Sequence, residues 1–250
     1  MKDNHNSVCQ HSVLTVNVER KIIITMRATI ISEGEYYHVF NRGMHKQLIF
    51  NNDQDRYRFL FLATHFQSPL IFSDVGEAVK DFKNSLRQHS VLTLNSLRNE
   101  IIQKRTVELT SFILMPNHFH LIVKEVKTGG IATFMQRLQN SYTKYFNIKN
   151  EVNGHLFQGP YRLVHIKDNE QLLYASAYVH RNCRELKGWK DREAEYPWSS
   201  YLDYVKQNRW KKFLSNEIVM EQFTSPQEYR EWVETSGAKE DFLEKIEPID

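Results

Sequence analysis

Val107-Glu108-Leu109-Thr110-Ser111-Phe112-Ile113-Leu114 and Phe119-His120-Leu121-Ile122-Val123 are two short apolar runs joined through Met115-Pro116-Asn117. Proline and asparagine between strand-forming residues have the composition of a hairpin connection, so the stretch predicts an antiparallel pair. Upstream, Gly34-Glu35-Tyr36-Tyr37-His38-Val39-Phe40 is an aromatic and β-branched run ended by Asn41-Arg42-Gly43, a strand followed by a turn. Downstream, Tyr161 to Ile166 alternates as a further strand. Helical patterns fill the intervals. Asp53 is expected to cap a helix carrying Tyr57, Phe59, Leu60, Leu62 and Ala63, and a polar helical region covers Val75 to Lys104. After the break at Gly129-Gly130, Ile131 to Phe146 repeats Phe134, Leu138, Tyr142 and Tyr145 at three or four residues. Asp168 then starts a helix through Tyr178 toward Asn182. Helices alternate with strands while the central pair is antiparallel, which makes the class α+β and not a doubly wound parallel fold.

Composition sets the outer limits. The 250 residues are 41% hydrophobic and 25% charged, which excludes disorder as the main state. The length suits one large domain or a domain with an appendage. Two cysteines, Cys9 and Cys183, make no disulfide framework or cysteine metal spacing, so a reducing cytosol fits best. The apolar run Ile22-Ile23-Ile24-Thr25-Met26 is too short to span a bilayer and is followed by Arg27, which argues against secretion and membrane insertion. Residues 1–25 are expected to be a loosely held extension, 26–205 the body, and 206–250 a helical appendage. From Ser215 to Asp250 ten acids face three bases, the pattern of a solvated acidic helical tail packed on the body.

The net charge of +3 is close to balance, but its distribution is uneven. Between Lys127 and Lys167, six Lys/Arg, among them Lys144 and Arg162, oppose the single acid Glu151, with His155 and His165 added. Tyr142, Tyr145, Phe157 and Tyr161 are interleaved. Cations hold phosphates and rings stack bases, so this is a candidate nucleic-acid face; a plain solvated basic surface fits the charge equally well.

Two constellations carry chemistry. On a strand, His118 and His120 project from one face and can converge on one metal ion, with Phe119 directed to the opposite layer. Two imidazoles are an incomplete site, and surface or core histidines explain the pair as well. With water or phosphate oxygens in the remaining positions, such a site suits Mg²⁺ or Mn²⁺ better than closed structural zinc. On the later helix, Tyr174, Tyr178 and Asn182 recur at intervals of four, which stacks the Tyr178 phenol beside the Asn182 amide. Spacing alone favours core aromatics and a helix-end residue there.

Taken in order, the motifs Tyr37-His38-Val39-Phe40-Asn41-Arg42-Gly43, Leu114-Met115-Pro116-Asn117-His118-Phe119-His120-Leu121, Gly154-His155-Leu156-Phe157-Gln158-Gly159 and Tyr178-Val179-His180-Arg181-Asn182 with Trp198-Ser199-Ser200-Tyr201 resemble those of the REP-associated tyrosine transposases. These are single-tyrosine members of the HUH endonuclease superfamily, of the IS200-like type, and the likeness spans roughly 26–204. The resemblance implies a ferredoxin-like antiparallel sheet flanked by helices, a homodimer, and a single-stranded DNA substrate carrying a hairpin. It implies that His118 and His120 bind a divalent cation, Mg²⁺ or Mn²⁺, with Asn182 completing the site and Tyr178 as nucleophile. Arg42, Lys144, Arg162, His155 and Gln158 are the expected nucleic-acid contacts, in a cytoplasmic, nucleoid-associated protein. Asn182-Cys183 departs from the family's Asn-Pro, which changes how the helix ends. Tyr142 and Tyr145 match a structural or DNA-facing pattern and rank below Tyr178. Two other classes remain open: a metal-dependent nuclease using water, and a non-catalytic, domesticated DNA-binding regulator.

Overall fold

A computed structural model describes residues 31–72, 74–88 and 95–237. The expected extension at 1–25, Cys9, the candidate start at Met26 and the end of the acidic tail lie outside the described residues.

The Val107–Val123 stretch is the hairpin its composition predicts. Strands β2 (Val107–Met115) and β3 (His118–Glu125) are joined by Pro116-Asn117, with Met115 opposite His118, so both strands run closer to the turn than the apolar runs alone suggest. β1 (Tyr36–Arg42) pairs antiparallel with β3 and with β4 (Arg162–Ile166). Asn41 and Arg42 thus belong to the strand rather than to the turn after it, because their backbones complete the ladder against Phe119 and His118. The order β2-β3-β1-β4, with helices between β1 and β2 and between β3 and β4, is the ferredoxin-like arrangement.

The period-two alternation of strands assigns the two faces. Tyr37, Val39, Phe119 and Leu121 face helices α1 (Asp53–His65) and α4 (Gly130–Asn150), where Phe59 meets Phe119 at 4.9 Å between ring centroids and Tyr142 at 5.1 Å. On α1, Asn52 and not Asp53 is the cap: its side chain accepts from Asp55 N at 3.2 Å while the Asp55 carboxylate accepts from Asn52 N at 3.3 Å. That reciprocal pair satisfies two N–H groups at once, which fixes the start one residue earlier. α4 begins where Glu125, fully buried, accepts from Gly130 N and Ile131 N at 3.0 and 2.7 Å. A Cβ on Gly130 would lie 2.2 Å from the Thr106 carbonyl oxygen, so only glycine lets α4 meet the sheet there. The polar region expected at 75–104 contains two helices, α2 (Val75–Gln88) and α3 (Asn95–Gln103).

The opposite face carries His38, Phe40, His118 and His120 and is covered by α5 (Asn169–Arg181). Asp168 caps α5 as expected, accepting from Gln171 N at 2.7 Å. The helix ends at Arg181 and tightens into a 3₁₀ turn over Asn182–Glu185. The Cys183 side chain is buried against that turn.

The described part of the expected tail is helical and packed on the body, and it also supplies core residues. After α6 (Tyr201–Val205), Trp210, Phe213 and Leu214 are buried, and α7 (Glu217–Met220) and α8 (Pro226–Thr235) bury Val219, Tyr229 and Val233. Tyr229 donates to Ser176 Oγ at 3.1 Å, and its oxygen lies 2.7 Å from His180 Nδ1; both partners are on α5. The acids therefore occupy one face of a helix whose other face is apolar, and packing does not break at residue 205. The outer edge of β2 is closed by the chain on both sides of α6, through Leu114 N to Trp198 O and Ser200 N to Phe112 O before it and Ser215 N to Leu109 O after it.

Candidate active site

His118 and His120 stand two apart on β3 with ring centroids 5.1 Å apart and planes nearly perpendicular. His120 is 2% exposed and His118 is half-buried. Above them α5 brings the Tyr178 ring edge-on to His120, 5.5 Å between centroids, and to His38, 5.8 Å.

Both ring nitrogens of His118 are engaged. Asn117 donates its amide N–H to the Lys46 carbonyl at 3.3 Å, which turns its oxygen toward His118 Nδ1, 2.7 Å away. The other ring nitrogen, Nε2, also faces an amide oxygen, and a neutral imidazole has one N–H to give to the two of them. Nε2 lies 3.2 Å from Asn182 Oδ1. Burial, opposed by the Asn182 contact, pushes the His118 pKa down to about 4, and burial together with the neighbouring imidazoles of His38 and His118 holds His120 well below its usual value. Both rings are therefore neutral near pH 7, with lone pairs available to a cation.

Asn182 joins the two constellations. Its amide also hydrogen-bonds the Tyr178 phenol. Burial raises the Tyr178 pKa, the Asn182 bond opposes this, and Glu185 and Arg42 act on it from a distance in opposite senses, raising and lowering it respectively. The donor set of two neutral imidazoles and an amide oxygen is compatible with a divalent cation that keeps positions for substrate oxygens. Among the described residues no three His, Cys, Asp or Glu side chains converge as a metal cage; the third histidine nearby, His38, is turned to His120 Nδ1 instead.

The five expected nucleic-acid residues gather in two adjoining hollows. Arg42, Gln158 and Arg162 line a cavity of about 210 Å³ with Asn41, Gly159 and Pro160. Lys144 and His155 line a larger one, about 570 Å³, between α4 and the 155–160 loop, and Gly159 and Pro160 border both. Of the remaining tyrosines, Tyr142 is fully buried and donates to the Ile49 carbonyl at 2.5 Å, and Tyr145 donates to Asp55 at 2.9 Å, so both hold α4 in place. Tyr174 packs on Trp232 at 5.2 Å. Sequence reasoning passed over His38, Asn117 and Glu185 as members of the site. The available signal was their place beside the motifs: Asn117 precedes His118 in the turn, and Glu185 follows Asn182 by three, a spacing that eclipses side chains on a 3₁₀ turn.

Two comparisons with known proteins find similarity. A solved structure of a REP-associated tyrosine transposase bound to a REP hairpin aligns with 78% of this chain and 93% of its own, at 10% identity and a TM-score of 0.48. No curated protein matches the chain. The family model described as "Transposase IS200 like" matches residues 78–182. The matched residues, under half of the chain, carry both strand histidines, Tyr178 and Asn182.

Proposed function

We propose that the protein cleaves and rejoins single-stranded, hairpin-bearing DNA by transesterification, with Tyr178 as nucleophile and with His118, His120 and Asn182 holding Mg²⁺ or Mn²⁺. One observation carries the reading: the Asn182 amide touches the Tyr178 phenol on one side and lies 3.2 Å from His118 Nε2 on the other, so nucleophile and cation donors form one unit. When bound, a divalent cation polarises a non-bridging phosphate oxygen and stabilises charge on the five-coordinate phosphorus.

The chain's own residues do the rest. Burial keeps Tyr178 a neutral phenol at rest, and the Asn182 bond orients its oxygen. The Tyr178 Oη–phosphorus bond forms as the phosphorus–O3′ bond breaks; the phenol loses its proton and the 3′ oxygen gains one, so no net proton is exchanged. The 5′-phosphotyrosine link retains the phosphodiester energy, and a second 3′-hydroxyl reverses the step without ATP. Arg42 lowers the pKa of Tyr178 and lines the smaller hollow with Arg162 and Gln158, a course for phosphates that continues to Lys144 and His155. Unpaired DNA reaches such a site without the cost of opening a duplex. A homodimer and a cytoplasmic, nucleoid-associated location belong to the same reading; sedimentation and fractionation test them. Among the described residues no helix is long and apolar enough to cross a membrane.

The test is to incubate the protein with labelled single-stranded hairpin DNA and Mg²⁺ or Mn²⁺, wild type beside Tyr178→Phe, and to follow label that stays with the protein in a denaturing gel. A covalent band lost in the variant supports the reading. Cleavage without the band, surviving in the variant, assigns the nucleophile to water. Tight binding with neither points to a non-catalytic regulator.

A further inference from the structure

His38 sits in the middle of β1, 1% exposed, opposite Ile122 on β3 and Val164 on β4. Its row across these three strands is otherwise apolar, and its ring is stacked on Phe40 at 4.8 Å and meets the edge of Tyr178. Burying an imidazole there costs desolvation that a leucine would avoid, so a polar partner has to justify it. That partner is His120: His38 Nε2 lies 2.9 Å from His120 Nδ1, with the two rings 8° from parallel.

Two neutral imidazoles bonded nitrogen to nitrogen share one proton in the contact, and the choice of owner has a chemical consequence. If His38 donates, His120 carries its proton on Nε2 and has no lone pair there. If His120 Nδ1 donates, its Nε2 is free to bind a cation. The neighbouring His118 likewise has its Nδ1 turned away from the site, 2.7 Å from the Asn117 oxygen.

We infer that His38 is a positioning residue for His120, accepting its Nδ1–H and thereby holding the Nε2 lone pair and the ring plane ready for the divalent cation. The inference rests on the reading of His120 as a metal ligand. Partners of this kind on the far nitrogen of a ligating histidine set its tautomer and orientation, and losing one lowers metal affinity by about 10–100-fold.

The experiment combines two readouts on the full chain: long-range ¹⁵N–¹H NMR of the imidazoles without metal, and calorimetric titration with Mn²⁺. Wild type is compared with His38→Gln, which keeps an acceptor oxygen near the place of Nε2, with His38→Leu, which removes it, and with His118→Ala. The expected results are a His120 ring protonated on Nδ1 in wild type and His38→Gln, Mn²⁺ affinity within about threefold of wild type in His38→Gln, and a loss of about 10–100-fold in His38→Leu. A His120 ring protonated on Nε2 in wild type overturns the inference, and this holds even where His38→Leu fails to fold. Unchanged Mn²⁺ affinity in a folded His38→Leu overturns it as well, while the His118→Ala loss persists. Unchanged affinity in His118→Ala overturns the metal assignment itself.

Discussion

Acidification from pH 7 to pH 5 destabilises this fold through its buried imidazoles, and His65 allows the effect to be isolated. His65 is 1% exposed on α1, ringed by Phe61, Phe72, Phe82 and Phe213, with Nδ1 2.9 Å from the Phe61 carbonyl oxygen. Burial, opposed by that carbonyl, pushes its pKa down to about 4, and burial takes His38 and His180 down to about 3. In the unfolded chain a histidine takes up a proton near pH 6.5, so between the two values the unfolded state holds more protons. Stability therefore falls as pH drops through that window and is unaffected above it. One such histidine loses about 2 kcal/mol between pH 7 and 5, and three that stay neutral lose about 6 kcal/mol, a large share of the 5–15 kcal/mol that folds a domain. Urea unfolding at both pH values, on wild type and His65→Phe, measures the difference, the phenyl ring being suited to the aromatic cage. The variant is expected to lose about 2 kcal/mol less than wild type over the interval, with unchanged denaturant slope. The same pH dependence in both proteins would refute the assignment of a neutral buried His65.

Three further outcomes follow from the site and its supports. His118→Ala is expected to abolish metal-dependent cleavage while sparing hairpin binding in a mobility-shift assay; equal wild-type activity in chelator would sink the metal assignment. Arg162→Ala, on the rim of the smaller hollow, should weaken DNA binding and flatten the log K against log salt plot by about one unit, and an unchanged slope removes it from the interface. Tyr229→Phe leaves His180 Nδ1 and Ser176 without their phenol partner, and calorimetry should show a loss of about 1–3 kcal/mol, or several degrees in Tm; an unchanged Tm would mean that the network contributes nothing.

The parts of the fold that were legible in the sequence are those with a strong local period. The Val107–Val123 hairpin and the helix after Asp168 were readable because alternation, turn residues and an N-cap agree. The start of α1 was misplaced by one residue because Asn52 and Asp53 are both good caps, and only the reciprocal bond with Asp55 decides between them. The C-terminal segment read as a solvated helical tail packed on the body, and how deeply it packs was not legible because its many acids mask the apolar pair Tyr229 and Val233, four apart on one helix face. In the candidate site, spacing put His118 and His120 on one strand and Tyr178 four before Asn182, and the structure brings these side chains together, but spacing alone assigned them no role. His38 and the pairing of hollows around Gly159 and Pro160 depend on the register of β1 against β3 and on the path of a loop, which are long-range facts with no local signature.

The bond network beneath α5 has a genetic consequence. Tyr229 holds His180 and Ser176, and Arg181 donates to the Ser236 carbonyl, so the helix that presents Tyr178 is anchored by residues some fifty positions later. A stop codon or frameshift between Lys206 and Tyr229 would leave the strand histidines, Tyr178 and Asn182 intact in the reading frame, yet remove the anchor of the helix that presents Tyr178. Open reading frames of this kind, truncated late, are expected to be silent even where their histidines, tyrosine and asparagine are all preserved.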